Sequence, residues 1–162
     1  MNGKLRNMAT VYIKKGSKML LLDRIGSRVV KRSWCGVGGH FEPEEVNDAK
    51  TAVLREMNEE IGLTEKDLYN LDLRYIALRL VKDELRINYY FFADLKEDVD
   101  REFSSNEGIS RWFDFSELSS LEMPFTSKYV IQHYLEVGCK TDMIYGGIAD
   151  GEKVVFIEMT EF

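Results

Sequence analysis

The chain of 162 residues has the length of one domain with one sizeable core. Its apolar fraction of 44% and aromatic fraction of 12% exclude a disordered chain. A formal charge of −6 and a pI of about 5.1 disfavour a protein built to grip a nucleic-acid polymer through its phosphates, while leaving room for a small phosphorylated substrate recruited together with a divalent cation.

No apolar run approaches the ~18–20 residues of a membrane span, and residues 1–6 lack the hydrophobic stretch of a secretion signal. Cys35 and Cys139 are the only cysteines and form no metal-like pair. Two free thiols in a reduced, cytoplasmic protein are the expected state.

Along the chain, residues 8–13 and 19–23 read as a hairpin around the polar stretch Lys14-Lys15-Gly16-Ser17-Lys18. Residues 25–41 read as loop, with Gly36, Gly38 and Gly39 interleaved with Trp34, Val37 and Phe41. A helix is expected over 48–61, with Asn47 or Asp48 as N-cap and Gly62 as the terminating glycine. Strands are expected over 73–81 and 85–93, joined at Lys82-Asp83-Glu84, and a short strand over 109–113. A second helix is expected over 127–137, where Tyr129, Val130, Tyr134 and Val137 recur at helical spacing. Residues 143–148 and 153–159 form a last hairpin signal around Ala149-Asp150-Gly151-Glu152. No repeat or linker divides residues 1–162, so one domain is expected, an α/β (α+β) sandwich with helices on both faces of a mixed sheet.

On the first helix, Ala49, Val53, Met57 and Ile61, with Leu54, form an apolar stripe. Glu56 and Glu60 flank it, and Glu59 lies one turn from Glu56. Like charges at this spacing cost roughly a few tenths of a kcal/mol per pair when exposed, and more where water is excluded. Their place near the helix C-terminus is also unfavourable for anions. Arg55 can pair with Glu59, but one arginine does not balance three acids. A hard divalent cation held by carboxylate oxygens would, with Mg²⁺ the natural ion for phosphate chemistry. A solvated acidic face is the plainer reading of the same residues.

Gly39-His40-Phe41-Glu42-Pro43-Glu44-Glu45, followed by Arg55-Glu56-Met57-Asn58-Glu59-Glu60-Ile61-Gly62-Leu63, resembles the box of MutT-like Nudix hydrolases, G-x5-E-x7-R-E-U-x-E-E-x-G-U with U a bulky aliphatic residue. The downstream half agrees throughout, with Met57 as U. The spacing departs, because nine residues, 46–54, separate Glu45 from Arg55 where the pattern has seven. Either the loop is two residues longer, or the first glutamate position falls on Asn47 and the glycine position on Phe41. The lead-in Gly38-Gly39-His40-Phe41-Glu42-Pro43 favours the longer loop. Asn106-Glu107-Gly108 ahead of Arg111-Trp112-Phe113, and Pro124 ahead of a helix, are also similar to the family.

The resemblance implies a Nudix-type α/β/α sandwich and attack of water on a phosphorus of a nucleoside diphosphate linked to another group. Mg²⁺, with Mn²⁺ as substitute, would be held by Glu56, Glu59, Glu60 and the Gly38 carbonyl. Arg55 would orient the carboxylates through Glu59 or Glu45, Glu59 or Glu107 would serve as general base, and Glu107 could instead be a further ligand. The implied substrate is a small nucleotide, with a (d)NTP or oxidised dGTP cut to monophosphate and pyrophosphate as the leading case. ADP-ribose, another nucleotide sugar, a dinucleotide polyphosphate, or a nucleotide-sensing module without turnover are the alternatives. The oligomeric state is left open, a homodimer included. Arg24, Arg28, Lys31 and Arg32 form a basic cluster that can meet phosphates, His40 reads as a packing or hydrogen-bonding residue, and Trp34, Tyr89, Tyr90, Phe91, Phe92 and Phe125 read mainly as core.

Overall fold

The computed structural model describes residues 3–24, 32–105 and 108–161. Strands β1 (Lys4–Lys15) and β2 (Lys18–Arg24) form the opening hairpin, longer at both ends than the apolar runs suggest. Alternation along these strands sorts the core into two layers. Ala9, Val11, Ile13, Leu20 and Leu22 face one side, and Tyr12, Met19 and Leu21 the other.

Residues 25–41 were expected to be loop, yet they carry two short strands, β3 (Trp34–Cys35) and β4 (Val37–His40). β4 pairs antiparallel with β1, Gly38 opposite Thr10 and Gly39 opposite Ala9. Glycine weakens local strand propensity, but here it is required. A Cβ on Gly38 would overlap the Ala9 carbonyl oxygen, so only glycine lets the two backbones approach.

After a short 3-10 turn at Pro43–Glu45 comes helix α1 (Ala49–Ile61). Asp48 is its N-cap, accepting from the Thr51 amide at 3.0 Å, and Gly62 ends it in the left-handed region at φ 67°. Its buried face is Ala52, Val53, Met57 and Ile61, whereas Ala49 and Leu54 of the expected stripe pack only at its margin. Strands β5 (Leu68–Val81) and β6 (Glu84–Leu95) follow as a long hairpin. Then come β7 (Ser104–Ser105), β8 (Gly108–Asp114), helix α2 (Phe125–Glu136), β9 (Ile144–Ala149) and β10 (Val154–Met159). Helix α2 begins two residues earlier than its apolar spacing indicates. Pro124, extended at ψ 145°, lies just before the helix, and buried Thr126 belongs to the first turn without being apolar.

The strands join one sheet in the order β10-β9-β5-β6-β1-β2-β8-β7, with β3 on β2 and β4 on β1. β1–β6 and β5–β9 are parallel and the other pairs antiparallel, so the sheet is mixed, as expected. Helix α1 covers the face of Val11, Ile13 and Phe91. Helix α2 covers the other through Val130, Ile131 and Tyr134 against Tyr12, Tyr75 and Phe92. The architecture is therefore the expected α/β/α sandwich. Among the described residues no helix is long and apolar enough to cross a membrane.

Candidate metal centre on helix α1

The last two turns of α1 lie beside β4, so the helix carboxylates meet the Gly38–Gly39 backbone. The Gly38 amide donates to Glu60 Oε2 at 3.1 Å. A Cβ on Gly39 would come within 2.5 Å of the Glu56 carboxylate carbon, so that carboxylate occupies space that only glycine leaves open. Glu56 and Glu60 are mostly buried, with side chains 15% and 7% exposed, whereas Glu59 is 58% exposed.

Arg55 organises the cluster. Its Nε and Nη2 donate to the two oxygens of Glu45 at 2.7 and 2.9 Å. Nη1 donates to Glu56 at 2.9 Å and to Glu59 at 3.1 Å, and Nη2 also donates to the His40 carbonyl at 3.0 Å. All five N–H donors of a guanidinium are thereby used. Its pKa is driven further above the ordinary arginine value, first by the hydrogen bonds to Glu45. The same bonds, with the Glu42 amide at 2.8 Å, hold the Glu45 carboxyl below its usual range. Glu45 is buried and stands in the arginine-paired position, so the longer loop accommodates the two extra residues and Asn47 remains exposed.

Arg24 contributes the second guanidinium. Its Nη2 donates to the Gly38 carbonyl at 2.5 Å and lies 3.8 Å from Glu60 Oε1. Four carboxylates, of Glu45, Glu56, Glu59 and Glu60, thus meet two guanidinium groups. Carboxylate oxygens of Glu56 and Glu60, both mostly buried beside the Gly38–Gly39 backbone, are the donor type that a hard divalent cation takes. Among the described residues no three acidic, imidazole or thiol side chains converge as a ready-made metal cage, and Glu59 is turned toward Arg55 and solvent.

Of the remaining expected site residues, Glu107, Arg28 and Lys31 lie outside the described residues. Arg32 is largely exposed and pairs with buried Asp23 at 3.4 Å. His40 accepts from Arg6 Nε at 2.6 Å, a hydrogen-bonding residue as expected. Its pKa is lowered by partial burial and then by Arg6. Tyr90, Phe91 and Phe92 are buried, Tyr89 stacks on Phe41, and Trp34 packs edge-on against Phe113. Cys35 and Cys139 are free thiols.

Next to Gly38 and Arg24, on the α2 face, lies a cavity of about 150 Å³ whose wall includes Arg6, Arg79, Arg86, Asn88, Cys35 and Phe125. None of the three added arginines stands out in sequence. Their even spacing from buried Tyr12, Ala77 and Tyr90 along β1, β5 and β6 is the one available signal that they share a face.

The NUDIX domain model matches residues 4–134. Among solved structures, the MutT protein of Bacillus halodurans matches with a TM-score of 0.66 at 21% identity, covering 97% of this chain and 99% of that one. The MutT protein of Methanosarcina mazei Go1 gives 0.67 at 22% identity over 85% and 98% of the two chains. The C. elegans Ap4A hydrolase gives 0.63 at 19% identity over 83% and 98%. At such identities the likeness is one of fold. No curated protein matches the sequence. With the family model spanning most of its length, the chain belongs to the Nudix family and is a Nudix hydrolase.

Proposed function

We propose that residues 1–162 act as one Nudix domain that hydrolyses a phosphoanhydride bond in a nucleoside diphosphate derivative with the help of Mg²⁺, for which Mn²⁺ can substitute. The leading case is a (d)NTP, oxidised dGTP among them, cut to the monophosphate and pyrophosphate. The observation that carries this reading is the convergence of two mostly buried helix carboxylates on the glycine strand: the Gly38 amide donates to Glu60, and Glu56, held by Arg55, fills the space beside Gly39.

Glu56, Glu60 and the Gly38 carbonyl would hold the ion, with Glu59 reaching it from the exposed side. The Gly38 oxygen has a second lone pair beside the one that Arg24 uses. When bound, the ion neutralises charge on the bridging phosphates and activates water for in-line attack. Arg55 positions the carboxylates, since all its donors are already engaged within the protein. Glu59, exposed enough to meet a water, or Glu107 accepts the proton from the attacking water. A small nucleotide is the partner, rather than a nucleic-acid polymer or a membrane, and the cytoplasm is the proposed location.

The test is release of phosphate from a panel of nucleotides with and without Mg²⁺, with inorganic pyrophosphatase added for the triphosphates and alkaline phosphatase for the substrates whose products are phosphate monoesters. The panel contains dNTPs, 8-oxo-dGTP, ADP-ribose and dinucleoside polyphosphates. Magnesium-dependent turnover is expected. Failure to turn over any nucleoside diphosphate derivative would leave a nucleotide-sensing module in its place.

A further inference from the structure

The wall of the cavity beside Gly38 carries an arrangement that its own neighbours do not explain. In the sheet register Arg6 of β1 lies opposite Arg86 of β6, and Arg86 lies opposite Arg79 of β5. Three arginines therefore form one row across three adjacent strands. Like charges directly opposite one another in a sheet are destabilising. The partial remedy is Glu84, 2.6 Å from Arg86 and 3.8 Å from Arg6. Arg79 makes no ion pair among the described residues and lies over the Phe125 ring at 4.5 Å. Arg24 closes the row toward the metal centre, and among the described residues no carboxylate lines the cavity. In a protein of net charge −6, four guanidinium groups around one small cavity are a local reversal of sign.

The remaining wall suits the same kind of guest. Asn88 and Thr10 offer amide and hydroxyl groups, and residues 125–127 open the 12-residue helix α2, whose first amides have no intrahelical acceptor. Guanidinium forks match phosphate oxygens in charge and geometry. We propose that this cavity binds a phosphate beyond the two that flank the scissile bond, and that Arg79 and Arg86 select substrates carrying it. The assignment rests on the hydrolase reading, because Arg24 is shared between the cavity and the carboxylate centre. Two sources share the chemistry: a further phosphate in the polyphosphate chain, or a phosphate ester at the far end of the leaving group.

The probe for the site itself is inorganic tripolyphosphate, titrated calorimetrically into the full chain in the presence of a chelator, so that no turnover is involved. R79Q and R86Q are expected to weaken binding about tenfold each, whereas R79K retains most of it and R111Q, on β8, all of it. Unfolding curves establish that each variant is folded, and R79K keeps the comparison valid should R79Q be unstable. Equal affinity of the wild type and the two glutamine variants, or no binding by the wild type, would overturn the proposal.

Substrate arms separate the sources. If the polyphosphate chain supplies the group, KM for a nucleoside triphosphate rises in R79Q while KM for ADP-ribose is unchanged. If a remote ester supplies it, the rise is confined to ADP-ribose bearing a ribose phosphate. An equal rise for all three would count against selection. Arginine-dependent tripolyphosphate binding without turnover of any nucleotide would defeat the hydrolase reading and leave the anion site standing.

Discussion

Arg55 reaches back ten positions to grip both oxygens of Glu45, at 2.7 and 2.9 Å, from the second turn of a helix that starts after Glu45. This bidentate pair fixes the loop to the helix, and the remaining donors of the same guanidinium fix Glu56 and Glu59. Loop geometry and carboxylate geometry are therefore set by one side chain.

Replacing Glu45 by glutamine removes the charge from that pair while keeping its volume. The variant is expected to lose about 1–3 kcal/mol of stability in urea unfolding, with activity lowered through misplaced Glu56. An unfolding midpoint equal to that of the wild type would show that the pair does not hold the loop.

The carboxylates that face Gly38 and Gly39 should behave differently. E56Q and E60Q are expected to keep the fold and lose turnover by roughly 10²-fold or more, together with calorimetric Mg²⁺ binding. Undiminished turnover in E60Q would exclude this helix as the metal site.

Adjacent glycines offer a contrast. A Cβ at Gly38 meets the backbone of Ala9, which cannot move without disturbing β1, whereas at Gly39 it meets the Glu56 side chain. G38A should cost about 1–3 kcal/mol or more of stability. G39A should stay near the wild type in stability yet lose activity, because Glu56 must swing aside. Paired thermal unfolding and rate measurements on the two variants decide this.

Acid should weaken the fold in two windows. His133, bonded to the Tyr75 hydroxyl at 2.8 Å, has its pKa lowered by burial. Its contribution is present above about pH 6.5, the ordinary histidine value, and is lost as pH falls through the lowered folded value. Glu45, lowered by Arg55, contributes above the ordinary carboxylate range and is lost only at more acid pH. H133Q should flatten the first decline and leave the second, as read from urea midpoints against pH.

The sequence by itself determined helix α1, because its cap at Asp48, its terminator Gly62 and its acidic spacing are all local. It also carried the three hairpins β1–β2, β5–β6 and β9–β10, since apolar runs around short polar turns are local signals. Tertiary structure decided what local pattern cannot encode. Gly36–Gly39 reads as loop because glycine disfavours strands, yet β1 recruits Val37–His40 as a strand through backbone pairing. The lead-in favours Glu45 over Asn47, but only the folded loop puts its buried carboxylate against Arg55. The row of Arg6, Arg86 and Arg79 exists only in the register of three strands, two of them far from the first in sequence. Pairing between distant strands is fixed by the packing of the whole core, so the cavity that those arginines line is a property of the fold.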